Sequence, residues 1–301
     1  MILTHIVTPE QDGLTLQQLM RGPLALSGRQ ARDVKHHGGV SVDGRPFFSN
    51  QPVRAGMCVR LELVGYDASD AETLSLPPVH VLYEDDALIA VHKPALLQCH
   101  PSPSAPGLSD TLEARVQSQI RQPAHPVHRL DAETTGIVLF AKLPFAQAHL
   151  QQQMQAGSVH KTYHALVFGV PANGEGLIDA PIARIEPDSF TRVVREDGQR
   201  AVSRYTCLRS RTLSEGCSVS LMELSPLTGR THQLRVHMTH IGCPLLGDAR
   251  YFTPESQSLS QRLQLSYHQL CAVELSFDHP VTGRRIAIQT QAPFTLDGLH
   301  I

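Results

Sequence analysis

No two of the six cysteines form a C-x-x-C pair; Cys58, Cys99, Cys207, Cys217, Cys243 and Cys271 are scattered over 301 residues. Isolated thiols in so long a chain read as reduced core residues, which excludes a disulfide framework and a cysteine zinc motif. The first residues lack a basic segment leading into an apolar one, and no apolar run nears the roughly 20 residues that span a bilayer. The expectation is a soluble, cytoplasmic protein. Excess charge is missing too, with 26 Lys and Arg against 28 Asp and Glu. A face for a polyanion therefore has to come from spatial sorting of charges, not from their total. Internal repeats and low-complexity tracts are absent. So are an H-E-x-x-H pattern and a G-x-S-x-G elbow, which leaves zinc-hydrolase and Ser/His/Asp-hydrolase readings without a motif.

What is present is ample apolar material, 41% of residues, enough to bury the core of one large and one small domain. Residues 1–66 carry seven Arg or Lys against five Asp or Glu. Within them Leu14, Leu16, Leu19 and Met20 recur at helical spacing. A second helix follows Ser27, a suitable N-cap, and sets Arg29, Arg32 and Lys35 near one face. After Gly38-Gly39, Val40 to Val42 reads as a strand entering an Asp43-Gly44 turn, and the stretch from Val53 to Val64 supplies another strand. Residues 67–78 are acidic and aperiodic, as in a linker. From residue 79 onward short apolar or alternating runs dominate, at 79–83, 87–92, 137–141, 163–168, 219–224, 233–238, 271–277 and 285–290. Helical stretches at 110–121 and 145–156 interrupt them. Many strands, few helices and no regular strand–helix alternation predict an α+β domain on a large, mostly antiparallel, mixed central sheet.

The N-terminal order, with S-x-R-x-x-x-D-V-K, then G-G-V-S-V-D-G-R, then R-A-G-M-C-V-R-L, resembles small RNA-binding domains of ribosomal-protein-four type. That resemblance implies that Arg29, Arg32 and Lys35 present a basic helix face to RNA.

The segment richest in chemistry is Pro126-Val-His128-Arg129-Leu130-Asp131-Ala-Glu133-Thr134-Thr135-Gly136, which runs into the apolar stretch Ile137 to Ala141. Polar groups crowded at the mouth of a strand are what an active-site loop on a rigid scaffold looks like. A local Arg129–Asp131 ion pair ahead of an ordinary turn is the plain alternative. The segment closely resembles the H-R-L-D-x-x-T-S-G motif of the RluA-type pseudouridine synthases, with Thr135 in place of Ser. Three further blocks resemble that family in the same order: Val81 to Pro94, with His92 where Asn is common; His160-Lys161-Thr-Tyr163-His-Ala165; and Leu227-Thr228-Gly229-Arg230-Thr231-His232-Gln233-Leu234-Arg235-Val236-His237, followed by Gly242 to Tyr251. Leu96-Leu97 stands where the family has Gly, which puts the shape of the loop before His100 in question.

The resemblance implies a sheet split by a cleft and an isomerisation of uridine to pseudouridine in structured RNA, ribosomal RNA of the large subunit ahead of transfer RNA. That reaction gains and loses no group, so it calls for no cofactor and for one reactive carboxylate with precise positioning. The resemblance assigns the carboxylate to Asp131, which can attack the sugar, attack the base, or act as a base towards a glycal-like intermediate. It makes Tyr163 the active-site phenol and Arg235 the partner of Asp131. An extended segment would place Thr231, Gln233, Arg235 and His237 on one face, with Leu234 and Val236 in the core. Arg129, His128, Thr135, Arg230, His232 and Gln233 are the implied substrate contacts. A non-catalytic RNA-binding or assembly factor on the same fold is the other reading; intact Asp131, Tyr163 and Arg235 oppose it. No metal site is expected from the 17 histidines, since none of the His or Cys groups has zinc spacing. A monomer is expected.

Overall fold

The computed structural model describes residues 1–36, 39–66, 76–101, 110–213 and 216–299. His37, Gly38 and most of the expected linker at 67–78 lie outside them.

Near the N-terminus, β1 (Ile2–Ile6) precedes α1 (Leu16–Arg21), α2 (Gly28–His36), β2 (Val40–Val42), β3 (Arg45–Pro46) and β4 (Cys58–Glu62). The strands form one sheet in the order β1-β4-β2-β3. Both helices start on capping boxes. Thr15 and Gln18 bond reciprocally at α1, and Ser27 and Gln30 do the same at α2. The β2–β3 turn has Asp43 and Gly44 both at positive φ (51° and 75°), the conformation that Asp-Gly accepts most readily. Strand β1 had no clear sequence pattern; it exists because Leu3 fills the core while Ile2 and Ile6 stay exposed.

The rest of the chain contributes β5 (His80–Glu84), β6 (Leu88–Lys93), α3 (Leu112–Ile120), β7 (His125–Pro126), β8 (Thr135–Ala141), α4 (Pro144–Gln155), β9 (His160–Phe168) and β10 (Glu175–Asp179). After these come β11 (Ile182–Arg184), β12 (Arg192–Val194), β13 (Val202–Thr212), β14 (Ser218–Pro226), α5 (Gln233–His240), α6 (Pro254–Arg262), β15 (Leu270–Asp278) and β16 (Arg285–Gln289). A mixed sheet runs β10-β13-β14-β9-β15-β8-β6-β5, with β16 on β15 and β7 on β8. Among its described pairings only β8 with β15 is parallel; β11 and β12 form a separate hairpin. The α+β class and the mostly antiparallel sheet match the sequence expectation.

Strand β8 is buried along its whole length, which is why it reads as an apolar run without alternation. Ile137, Leu139 and Ala141 pack on one side with Phe145 and Leu150 of α4, in a core that continues into Leu16, Leu19, Met20 and Leu61 of the N-terminal unit. Val138 and Phe140 pack on the other side with Tyr163, Ala165, Leu234 and Met238. Among the described residues two polar contacts join the units: His149 Nε2 donates to the Leu24 carbonyl at 2.9 Å, and the Tyr66 hydroxyl donates to Gln147 at 2.9 Å.

One expected strand is wrong. Residues 233–238 are the buried heart of helix α5. A helix surrounded by protein has no polar face, so alternating Leu234, Val236 and Met238 imitated a strand. In the helix Gln233 and His237 lie one turn apart and both bond the Ser203 hydroxyl at 2.9 Å. The extended-face reading of Thr231, Gln233, Arg235 and His237 therefore fails, and His237 is closed in between Ser203 and the Ala180 carbonyl.

Candidate active site

The Asp131 loop is fixed at both ends. Gly136 sits at φ 105°, and a Cβ there would come 2.2 Å from the Ala272 carbonyl oxygen, so only glycine lets β8 lie against β15. Ahead of it, the fully buried Lys93 donates to the carbonyls of Pro94 (2.8 Å), Leu97 (2.7 Å) and Ala132 (2.6 Å). This ammonium ties the loop after β6 to the residue following Asp131. Burial pulls its pKa down to about 8, with Cys99, Asp131 and Glu133 opposing the fall. Leu96, the first of the Leu96-Leu97 pair, has φ 62° and is exposed. The loop thus has, at one of these two positions, a backbone that glycine adopts more readily.

Asp131, with 30% of its side chain exposed, accepts a 3.0 Å bond from Arg235 Nη1. The remaining arms of that guanidinium hold Asp248, Nε to Oδ2 at 2.7 Å and Nη2 to Oδ1 at 2.8 Å. Burial works against the charge on Arg235, but the bonds and charges of Asp248 and Asp131 outweigh it and raise its proton affinity. Asp248 in turn takes the backbone N–H groups of Arg250 and Tyr251. Burial would raise its pKa, and Arg235 with these amides brings it below the ordinary carboxylate range.

His232 occupies a left-handed residue (φ 58°) at the start of α5, its Nε2 3.8 Å from Asp131 Oδ2. The Tyr251 hydroxyl accepts the Arg192 backbone N–H at 2.8 Å and lies 2.8 Å from His232 Nδ1. A hydroxyl that already accepts there is satisfied by donating to Nδ1, which places the imidazole proton on Nε2, towards Asp131. Burial, reinforced by Arg235, Arg250 and Arg192 against the pull of Asp131, lowers the His232 pKa to about 4. The ring is neutral at physiological pH.

Tyr163, on β9, is buried, and no hydrogen bond is made by its hydroxyl among the described residues. Burial first, and the Asp131 charge second, push its phenol above the ordinary range. Asp131, Tyr163, Arg235 and His232 line a cleft of about 1080 Å³, with exposed Arg129 and Arg230 at its margins. A second cavity of about 830 Å³ meets the other side of Asp131 and Arg235. A carboxylate held by a fixed cation at the waist of two open cavities can serve as nucleophile or base.

Not every residue expected at the substrate faces open space. Thr135 is buried and donates to the Leu270 carbonyl at 3.3 Å, because its side chain belongs to the β8–β15 junction. Gln233 has all four hydrogen-bonding positions filled, by Val202, Ser203, Thr228 and Arg230. It braces the cleft wall. His128 accepts the Leu139 N–H through Nε2 at 3.3 Å, and burial pushes its pKa far down; it is a neutral part of the wall. Arg29, Arg32 and Lys35 lie on α2, outside both cavities, with Arg29 and Arg32 exposed.

Sequence reasoning missed Lys93, Asp248 and Tyr251 as parts of the site. Lys93 had a signal, a cation ending the apolar strand 88–93. Asp248 and Tyr251 follow a Gly-rich turn with nothing in spacing alone to tie them to Arg235. Glu133 was also missed: its Oε2 lies 2.9 Å from Nδ1 of buried His268, although not in line for a straight hydrogen bond, and His268 Nε2 meets Thr134 Oγ1 at 2.7 Å.

The profile of the RNA pseudouridylate synthase family matches residues 87–240, the span that holds Asp131, Tyr163 and Arg235. The chain belongs to this family. It is 36% identical to the dual-specificity RNA pseudouridine synthase RluA of Vibrio vulnificus over 210 residues, 68% of this chain and 81% of that protein. It is 34% identical to the ribosomal large subunit pseudouridine synthase D of Xanthomonas campestris pv. campestris over 272 residues, 87% and 80% of the two. The fold is shared with human RNA pseudouridylate synthase domain containing 1, at a TM-score of 0.62 and 24% identity, over 75% of this chain and 88% of that one. As an RNA pseudouridine synthase the protein is an isomerase, and the non-catalytic reading gives way to it.

Proposed function

We propose that the protein isomerises uridines in structured RNA, large-subunit ribosomal RNA ahead of transfer RNA, with Asp131 as its reacting carboxylate. The observation that carries this is the Asp131–Arg235 pair at 3.0 Å on the wall of a cleft that also contains Tyr163. The relative named for the large ribosomal subunit supports the first of these substrate classes.

Isomerisation breaks the bond from ribose C1′ to uracil N1, turns the base, and joins C1′ to C5. C5 loses its hydrogen and N1 gains one, so nothing is oxidised and the formula is unchanged. Asp131 attacks the sugar or the base, or removes a ribose proton; all three routes need a carboxylate held in place, and Arg235 holds it at 3.0 Å. Tyr163 offers a ring for stacking on the extruded uracil and a hydroxyl free to bond it. Extrusion costs a few kcal/mol, which stacking and hydrogen bonds must offset. Arg129, exposed beside Asp131, holds the vacated stack, and Arg230 takes a phosphate. His232, neutral with Nε2–H turned inward, donates to the carboxylate or to a uracil carbonyl. The basic face of α2 docks flanking RNA.

The test compares pseudouridine maps of total RNA from cells with and without the gene. Loss of one or a few sites, restored by wild-type protein and not by Asp131→Ala, is the expected result. An unchanged map in every RNA pool would contradict it.

A further inference from the structure

The hairpin of β11 and β12 stands apart from the large sheet and carries Phe190 at its turn. This ring is 66% exposed, yet it lines the 830 Å³ cavity together with Asp131, Arg129 and Arg250. Single exposed apolar side chains are common on folded proteins, so the informative feature of this ring is its place on the cavity that Asp131 also lines.

The turn is held firmly. Arg192 Nη1 donates to the Ser189 carbonyl at 3.0 Å, Thr191 N–H to Ser189 Oγ at 3.0 Å, Ser189 N–H to the Glu186 carbonyl at 3.0 Å, and Ile185 N–H to the Thr191 carbonyl at 3.1 Å. It is also tied to the site. Arg250 donates to Thr191 Oγ1 at 2.8 Å, and the Arg192 N–H bonds the same Tyr251 hydroxyl that meets His232. An anchored turn therefore presents Phe190 at the cavity that Asp131 also lines.

The hairpin and the turn after it carry no excess of positive charge, with Arg184, Arg192 and Arg195 against Glu186, Asp188, Glu196 and Asp197. Arg195 is already paired with Asp197, and Arg184 and Arg192 bond carbonyls of the turn. Phosphate attraction is thus not what this turn supplies; an aromatic face is. An exposed ring on an anchored turn, beside a cavity edged with arginine, is the chemistry that receives an unpaired nucleobase.

We propose that Phe190 is a stacking platform for an unpaired base next to the target uridine, and so helps to determine which RNA loops are accepted. This rests on the pseudouridine synthase reading of the same site.

The test measures, by fluorescence anisotropy, binding of wild-type, Phe190→Ala and Phe190→Trp proteins to decauridylate and to an abasic ribose-phosphate decamer. A stacked base contributes about 1–3 kcal/mol, so Phe190→Ala should bind decauridylate at least about fivefold more weakly. Binding of the abasic decamer should be unchanged, and Phe190→Trp should bind both as wild type does. Because the ring is exposed, the melting temperature should not move. Equal loss on both oligomers, no loss on either, or wild-type protein that prefers neither oligomer would overturn the proposal. If wild-type protein forms no pseudouridine in any RNA, the isomerase reading fails, and the comparison of oligomers still reports on Phe190.

Discussion

Asp248, fully buried, takes two of the three nitrogens of Arg235 and leaves the third for Asp131. The cation beside Asp131 is therefore aimed by a second carboxylate that lines neither cavity. A guanidinium gripped at Nε and Nη2 has no freedom to swing. Asp131 meets a charge whose position is set before RNA arrives, the preorganisation that electrostatic catalysis requires.

Removing that grip should be costly. Asp248→Ala leaves Arg235 buried with one partner, and breaking such a pair typically costs about 3–5 kcal/mol. Chemical denaturation should show a loss of that size, with Asp248→Asn less affected. In Asp248→Asn the single-turnover rate should fall more than RNA affinity does, because Arg235 is freed to drift from Asp131. An Asp248→Asn protein with the wild-type rate would show that the fixed guanidinium is unnecessary.

Acid should weaken the protein through His232. Its folded pKa of about 4 lies below the ordinary value of about 6.5. Between these values the unfolded chain binds more protons, so stability falls as pH drops from about 6.5 to about 4, by up to about 3 kcal/mol. Burial lowers the pKa of His128 and His237 as well, so the readout is a difference. His232→Gln, compared with wild type over pH 4–7 in urea, should show a shallower loss. Parallel curves would contradict the buried neutral state.

The left-handed Leu96 is a removable strain. An L-residue in this conformation costs roughly 1–2 kcal/mol, part of which glycine returns as backbone entropy. Leu96→Gly should therefore stabilise the protein by about 0.5 kcal/mol, and Leu96→Val should destabilise it. Both are read from melting temperatures; a Leu96→Gly protein that melts lower would mean that the leucine side chain does something else.

Much of this was legible in the sequence because the site is built on local signals. His128 to Gly136 announces a polar loop entering a buried strand, and the alternation at Tyr163 gives a strand with one face inward. Ser27 as N-cap and the spacing of Leu16, Leu19 and Met20 mark the two N-terminal helices. What was not legible depends on tertiary closure. Helix α5 is buried all round, so period gave no help. Thr135 and Gln233 carry polar groups that the fold consumes internally, and only the positions of Leu270 and Ser203 reveal it. Hairpin β11–β12 is too short and too charged to stand out as strands, so Phe190 passed unnoticed.

The basic face of α2 predicts a salt effect. Replacing Arg29, Arg32 and Lys35 together by Gln should weaken RNA binding and lower the slope of log affinity against log salt by about 2–3. Arg29 also lies 3.9 Å from Asp33, an exposed pair of little energetic weight, so folding should be unaffected. Binding that keeps the wild-type slope would remove α2 from the RNA interface.

The central claim is that Asp131 carries the chemistry. Joining ribose C1′ to uracil C5 expels the hydrogen on C5, so RNA labelled there with tritium reports turnover by releasing label to water. Purified wild-type protein should release it from RNA of cells lacking the gene. Asp131→Asn, equal in stability and RNA affinity, should release none. Release by Asp131→Asn at the wild-type rate would contradict the account.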